Sequence, residues 1–337
     1  MMTKTSTVEN FIVQEIKNGN ISVGSKIPSR SALAKRFKCS RTVVEHAVDI
    51  LKNAGYLNGE RGSGTYVINT HAQSEKIRHL KIIADFNFSS LNNSLLPILN
   101  FSDLNISVEW VPANRAVTEL DNLCIPGNAV ITMRPKIGQI DLLEKLKKRN
   151  IPILLLNRDY DGFDYIMTDP AASIREGLSW LLIEAGREIA FVSHRPTVSR
   201  PYLAERILSF YESALELGAK LNSSWCISKK TENFTEDISA IGRQLFGSAH
   251  SPKGIFILDA DLVLPVVNCG QGYGFTPGID YKLLTFDDIP ELENRPGIAM
   301  MQQPNLLYAK EIRRWLTTLP CRTPFQAALK THLKLPL

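Results

Sequence analysis

The chain lacks any apolar run long enough to span a bilayer, and its polar N-terminus carries no signal-peptide core. Both absences point to a cytoplasmic protein with no membrane partner. Cysteine is scarce: five in 337 residues, at 39, 124, 226, 269 and 321, odd in number and without metal-ligand spacing. These are expected to be reduced, buried thiols. Asn-x-Ser/Thr matches such as Asn20-Ile21-Ser22 carry no meaning in such a protein. The six histidines, at 46, 71, 79, 194, 250 and 332, form no ligand-spaced pair, so no metal is expected. No Gly-x-Ser-x-Gly, His-Glu-x-x-His or phosphate-loop sequence occurs, and no cofactor-lysine motif stands out. An enzyme is therefore not expected, and no cofactor. What is there is ordinary for a soluble globular chain, 44% hydrophobic and 22% charged, with length enough for two domains.

The charge is unevenly placed. Residues 1–80 hold 12 Lys and Arg against 6 Asp and Glu, a net +6; the remainder holds 27 against 28, a net −1. Basic charge gathered on one small domain fits a phosphate-backbone partner, although a basic solvated surface gives the same count.

That basic segment has a pattern. Val8, Phe11, Ile12 and Ile16 form a helical stripe closed by Gly19 and Gly24. Pro28-Ser29 precedes a short helix with Leu33 and Phe37 on one face, and Lys38-Cys39 makes a turn. Ser40 is placed to cap the next helix, which buries Val44, Ala47, Val48 and Leu51 and shows Arg41, Thr42, Glu45 and His46 on the other face; Gly55 ends it. A glycine-rich hairpin, Arg61-Gly62-Ser63-Gly64-Thr65-Tyr66-Val67, follows. Helix, turn, helix and basic hairpin is how a chain puts one helix into a DNA groove. Arg41 can offer a bidentate fork to guanine or clamp a phosphate, and Ser40 and Thr42 can donate to phosphate at the helix N-terminus. At the hairpin tip, Arg61-Gly62-Ser63-Gly64, the glycines let the backbone approach DNA closely and Arg61 can enter the minor groove; Gly62 and Ser63 count among the candidate DNA contacts.

Three motifs in order, Ile27-Pro28-Ser29, Ser40-Arg41-Thr42 and Gly62-Ser63-Gly64-Thr65-Tyr66-Val67, make residues 5–69 resemble the GntR-type winged helix. The resemblance implies double-stranded DNA as a partner. Two departures stand out. The family's Ser-Glu-Arg reads Ser29-Arg30-Ser31 here, moving the basic group to Arg30. The arginine usual in mid recognition helix is Glu45, which repels phosphate but can accept from cytosine N4; the alternative is that it takes no part.

Beyond a polar linker over 70–80, apolar strand-like runs alternate with helical patterns. The runs include Ile82–Ala84, Val130–Thr132, Ile153–Leu156, Ile189–Val192, Gly254–Leu258 and Leu283–Phe286; the helices lie over 140–148, 172–185, 204–217 and 238–245. This is an α/β pattern with parallel sheets, long enough for two lobes with a cleft. The order Ile151–Asp159, Asp164–Asp169, Arg206–Leu215, Phe286-Asp287-Asp288 and Met301–Pro304 is similar to the LacI-type regulatory domain, which is periplasmic-binding-protein-like. The likeness runs over 80–320 and is weak from 85 to 130. It implies a first lobe of 81–163 with 291–320 and a second of 164–290.

By the same resemblance Arg206 and Asp287 bind an effector, Arg200 is a second such position, and Phe88 supplies a wall. The usual Ala-Asn-Asp reads Asp259-Ala260-Asp261, so Asp259 replaces the lost asparagine while Asp261 caps a helix. For each of these charges an ordinary structural or solvated role is the competing reading. A GntR-type head on a LacI-type body resembles the arabinose-responsive repressors. That implies a homodimeric, cytoplasmic transcription regulator, a repressor, that binds a near-palindromic operator under control of a small effector such as a sugar. Two other readings are a regulator whose effector lobe has decayed and a winged helix fused to a pyridoxal-phosphate-dependent body.

Overall fold

A computed structural model of the chain describes residues 3–53, 55–60, 64–68, 77–84, 95, 98–229, 234–248, 250–319 and 324–336, apart from the side chains of residues 17, 53 and 60. The first three helices are α1 (Lys4–Lys17), α2 (Arg30–Phe37) and α3 (Arg41–Asn53). Each starts at a hydroxyl: the Thr3, Ser29 and Ser40 oxygens accept from the backbone N–H of Ser6, Ala32 and Val43, filling donors that a helix start leaves open. Lys38 turns the chain between α2 and α3 in the left-handed region, at φ 46°. The expected stripe packs as read, with Val8, Ile12, Ile16, Leu33, Val44, Ala47, Val48 and Leu51 buried in one core. At the end of α3, Gly55 takes φ 73° and Tyr56 N–H reaches back to the Leu51 carbonyl.

The hairpin strands β1 (Leu57–Glu60) and β2 (Gly64–Val67) pair antiparallel, Leu57 opposite Val67 and Glu60 opposite Gly64. Its tip, Arg61, Gly62 and Ser63, lies outside the described residues, as does most of the linker. Lys26 bridges to Tyr66, adding a third edge to this small sheet.

The body holds two six-stranded sheets. Strands β3 (His79–Ala84), β4 (Ser107–Pro112), β5 (Asn128–Met133), β6 (Ile153–Leu156) and β7 (Asp164–Thr168) lie in the first, in the order β7-β6-β5-β3-β4, all parallel. Helix α4 (Ile140–Lys148) links β5 to β6. The second lobe runs α5 (Pro170–Ala185), β8 (Glu188–His194), α6 (Tyr202–Glu216), β9 (Lys220–Lys229), α7 (Phe234–Phe246), β10 (Gly254–Ile257), α8 (Ala260–Gly272), β11 (Lys282–Phe286) and β12 (Ile298–Gln302), with the sheet order β12-β11-β10-β8-β9, also parallel. Helix α9 (Asn305–Thr318) then returns to the first lobe, β13 (Gln326–Leu329) pairs parallel with β7, and β14 (His332–Lys334) pairs antiparallel with β12.

The chain thus passes between lobes three times, after Thr168, after Gln302 and after Leu329. Sheet membership corrects the expected division. Asp164–Thr168 belongs to the first sheet and Ile298–Gln302 to the second, and the body starts at His79 instead of residue 81. Short apolar runs specify a strand but not which sheet receives it.

Each sheet carries a core on both faces. Ile82, Ile131 and Leu154 pack with Tyr308, Ile312 and Trp315 of α9, while Ile83, Val130 and Leu155 pack with Leu142, Leu143 and Leu146 of α4. In the second lobe Phe191, Phe256 and Phe286 meet α5 and α6, and Val192, Ile257 and Leu283 meet α7 and α8. Gly177 lets α5 lie close to its sheet: a Cβ there would stand 2.9 Å from Met301 Sδ. Burial on both faces explains why the central strands read as unbroken apolar runs. Cys39, Cys124, Cys226 and Cys269 are free and half-buried, less buried than expected; Cys321 lies outside the described residues.

Candidate functional site

Two places gather polar side chains on rigid elements. The first is the exposed start of α3. Arg41 and Thr42 are exposed in its first turn, and Ser40 spends its oxygen on the cap while keeping its hydroxyl proton for a partner. Glu45 stands one turn on. Its Oε1 lies 3.5 Å from Arg41 Nε and 3.9 Å from Arg30 Nε. The acid at the unusual position therefore sits between the two arginines singled out from the sequence, and holds α2 to α3 on that face.

The second is the cleft. In an open parallel sheet, ligands bind beyond the carboxyl ends of the strands where strand order reverses. Here that is between β3 and β5 in one lobe and between β8 and β10 in the other. A cavity of about 210 Å³ lies between the lobes, lined by residues that follow β5, β6 and β11 and by the start of α6: Arg134, Asn157, Arg158, Asp159, Tyr160, Tyr202, Glu205, Arg206 and Asp287 among them. Arg134, Asn157 and Asp287 all take left-handed backbone, at φ 48°, 56° and 74°. Non-glycine residues hold that conformation at a cost that surrounding structure must offset, and such residues cluster at ligand sites.

Arg206 is held on three sides. Its guanidinium carbon lies 3.8 Å from the Phe286 ring centroid and 4.9 Å from that of Tyr202, and Nη1 stands 3.8 Å from Asp287 Oδ2. Asp287 also accepts from Gln303 Nε2. Gln303 Oε1 in turn accepts from the Thr168 hydroxyl at 2.7 Å, and that hydroxyl lies 2.9 Å from the Tyr308 hydroxyl. Tyr308 donates to Asn157 Oδ1, which also takes the Thr168 N–H at 3.2 Å. Burial raises the Tyr308 phenol far above its ordinary range, so it stays a neutral donor. A continuous buried network therefore runs from the cavity to the first and second crossovers.

Of the three other effector residues named from the sequence, Arg200 and Asp259 do not line the cavity. Arg200 Nη2 pairs with Asp261 Oδ2 at 3.2 Å, and its Nη1 stands 3.9 Å from Asp259 Oδ1. Asp259 is buried and accepts the His194 N–H at 2.8 Å; burial raises its pKa, partly offset by that bond. Asp261 was expected to cap a helix. Instead Asp259 occupies the cap position of α8, and Asp261 meets His194 Nε2 at 3.2 Å. Burial alone would raise the Asp261 pKa, but the His194 hydrogen bond and the Arg200 charge hold it below its ordinary value. Phe88 lies outside the described residues. The sequence reading passed over Arg134, Arg158, Tyr202, Thr168, Gln303 and Tyr308. Their one local signal is position, just past an apolar strand or opening a helix.

Both parts resemble known proteins. Residues 4–67 match the family model "Bacterial regulatory proteins, gntR family". The HTH-type transcriptional regulator YisV of Bacillus subtilis is 40% identical over 63 residues, 19% of this chain and 13% of that protein. The chain thus spans only about an eighth of that relative, and the likeness is confined to the head. The arabinose metabolism transcriptional repressor of Halalkalibacterium halodurans is 21% identical over 307 residues, covering 86% of this chain and 81% of that protein. Among solved structures, a regulatory protein of the LacI family from Chloroflexus aggregans superposes with a TM-score of 0.63 at 17% identity, over 76% of this chain and 96% of that one. The transcriptional regulator CelR in complex with cellobiose gives 0.62 at 15% identity, over 92% and 99%.

The head is a GntR-type helix-turn-helix domain, and the body has the two-lobed α/β fold of LacI-type regulators. The likeness to the arabinose repressor relative runs through both head and body. Each relative described here is named a transcription regulator or repressor. No helix among the described residues is long and apolar enough to cross a membrane.

Glu45 can be tested against duplex DNA. Glu45→Gln frees Arg30 and Arg41 from a carboxylate that repels phosphate. Non-specific duplex affinity is expected to rise about two- to fivefold, the worth of exposed ion pairs, with a steeper salt dependence. Fluorescence anisotropy with a random-sequence duplex across a salt series measures both; unchanged affinity would remove Glu45 as a restraint on the arginines.

Proposed function

We propose that the protein is a transcriptional repressor that acts in the cytoplasm as a homodimer, reads a near-palindromic operator with α3 and the hairpin, and is controlled by a small polyhydroxylated effector, a sugar or sugar derivative, in the interlobe cleft. One observation carries the reading. Asp287, which lines the cavity, is tied through Gln303 to Thr168, so ligand contact and two of the three crossovers share one hydrogen-bond chain. A ligand that engages Asp287 and Arg206 of the second lobe together with Arg134 and Asn157 of the first favours one lobe arrangement over another by its differential contacts. In a dimer carrying two heads, that changes how well both fit their half-sites. Arg30, Ser40, Arg41, Thr42 and Glu45, with Arg61, Gly62 and Ser63 of the tip, are the proposed DNA contacts. Arg206 and Asp287 are the proposed effector contacts, with Arg200 and Asp259 shaping the neighbouring wall.

The test begins with operator selection from a genomic fragment library, followed by anisotropy titrations with and without sugars. Wild type is expected to change operator affinity about tenfold or more with an effector, within the usual range of coupling energies. Asp287→Ala is expected to bind the operator normally and not respond. Failure to select any sequence, or a normal response from Asp287→Ala, would remove the regulator reading or the cleft assignment respectively.

A further inference from the structure

The cleft is lined by charges of both signs, the carboxyl groups of Asp159, Glu205 and Asp287 and three guanidinium groups, and one of the three cations stands out. Three guanidinium groups, Arg134, Arg158 and Arg206, line the cavity. Arg206 is matched by Asp287 and by the rings of Phe286 and Tyr202. Arg158 is not matched in the same way. Its Nη1 donates to the Asn157 carbonyl at 2.6 Å, its guanidinium carbon lies 5.1 Å from the Tyr202 centroid, and its Nε is buried with no hydrogen-bond partner. Among the described residues, no carboxylate forms an ion pair with it. Burial opposes its charge most; Tyr160 and Tyr202 offset part of that, and Arg134 and Arg206 add repulsion of the same sign. The nearby acids offer little relief. Asp287 is engaged by Gln303 and Arg206, and the Glu205 pKa is raised by burial and then by Asp159, which weakens its hold on charge.

A half-buried cation with a buried, unpartnered N–H is costly unless something pairs with it. Hydroxyl groups would satisfy the donors but leave the charge. An anion does both, and charge-assisted bonds to a guanidinium are about twice as strong as neutral ones. The volume limits the rest of the ligand: about 210 Å³ is below the roughly 300–1,000 Å³ of drug-sized pockets, which suits a single sugar ring.

We propose that the cleft takes a small polyhydroxylated anion, a monosaccharide-sized molecule bearing one carboxylate or phosphate, with Arg158 anchoring the anionic group while Arg206 and Asp287 hold hydroxyls. This rests on the reading of the cleft as the effector site. The carboxylate and phosphate forms share their chemistry toward Arg158 and are separated by experiment.

Full-length wild type, Arg158→Gln and Arg158→Lys are melted at matched ionic strength with inorganic phosphate, acetate, D-glucose, D-glucuronate and D-glucose 6-phosphate, then titrated calorimetrically. Wild type is expected to be stabilised by the anions over glucose, with the glucuronate and glucose 6-phosphate arms showing which anionic group the site prefers. Arg158→Gln is expected to lose about tenfold or more in anion affinity, and Arg158→Lys to keep most of it. The proposal is overturned if glucose binds as tightly as its acids, if Arg158→Gln keeps the wild-type anion response, or if no anion raises the melting temperature. Operator titrations separate this from the regulatory reading. A neutral sugar that shifts operator affinity through Asp287 would leave the regulator and remove the anion site. Anion binding through Arg158 with no effect on operator affinity would do the reverse.

Discussion

Replacing Trp315 by alanine will destabilise the first lobe by about 3–5 kcal/mol, the usual cost of emptying a buried aromatic site. Trp315 is fully buried in the core that α9 shares with β3, β5 and β6. Its indole N–H also donates to Asp164 Oδ2 at 2.8 Å, while Asp164 Oδ1 accepts the Phe325 N–H at 2.8 Å. One side chain therefore fastens the returning helix to the strand before the first crossover and, through Asp164, to the segment leading into β13. Trp315→Phe keeps most of the volume and loses the donor, so about 1–3 kcal/mol is expected, the cost of an unmet polar group. Chemical denaturation followed by circular dichroism measures both. The lobes can unfold in separate steps, and the shift is expected in the transition that carries the first lobe. A Trp315→Ala protein melting within a degree of wild type would show that α9 does not complete that core.

That helix marks where sequence stopped informing. The head was legible almost entirely, because its signals are local. Ser40 caps α3, Val44, Ala47, Val48 and Leu51 face inward, and Gly55 closes the helix within a few residues of one another. In the body, β5, β6, β10 and β11 were visible as apolar runs because both of their faces are covered. The edge strand β9 was not, since it opens with five exposed residues, and β4 alternates too weakly to stand out. β7 pairs with nearby β6 and with distant β13, and β12 with β11 and β14, and nothing within either strand encodes which sheet receives it.

The cleft divides the same way. Arg206 and Asp287 came from recognisable motifs and do lie side by side on its second-lobe wall. Arg134 and Arg158 follow strands that were seen, but only the folded sheet brings those two strand ends to one cavity. Arg200 and Asp259 were grouped with the effector contacts on family pattern. In the fold they satisfy each other and Asp261 instead, because a buried carboxylate at the α8 cap needs a cation nearby.

Arg41→Ala is expected to lower operator affinity roughly 10- to 100-fold, corresponding to about 1–3 kcal/mol for one bidentate base contact. The side chain is 69% exposed in the first turn of α3, and its only ion-pair partner among the described residues is Glu45. Removing it costs the fold little, since surface changes away from caps and cores usually fall within about 0.5 kcal/mol. Loss of one cation also weakens phosphate binding, but that part is shared by every sequence and lowers the salt slope by only about one unit. Specific and scrambled duplexes titrated side by side therefore separate the two effects. Arg41→Lys sharpens the test, because lysine keeps the charge and loses the planar fork. If Arg41 reads a base, lysine restores the salt slope and scrambled-duplex affinity while operator affinity stays low. If lysine restores operator affinity in full, Arg41 is a phosphate clamp, and base reading must come from other residues of the face that Arg30 and Glu45 share with it.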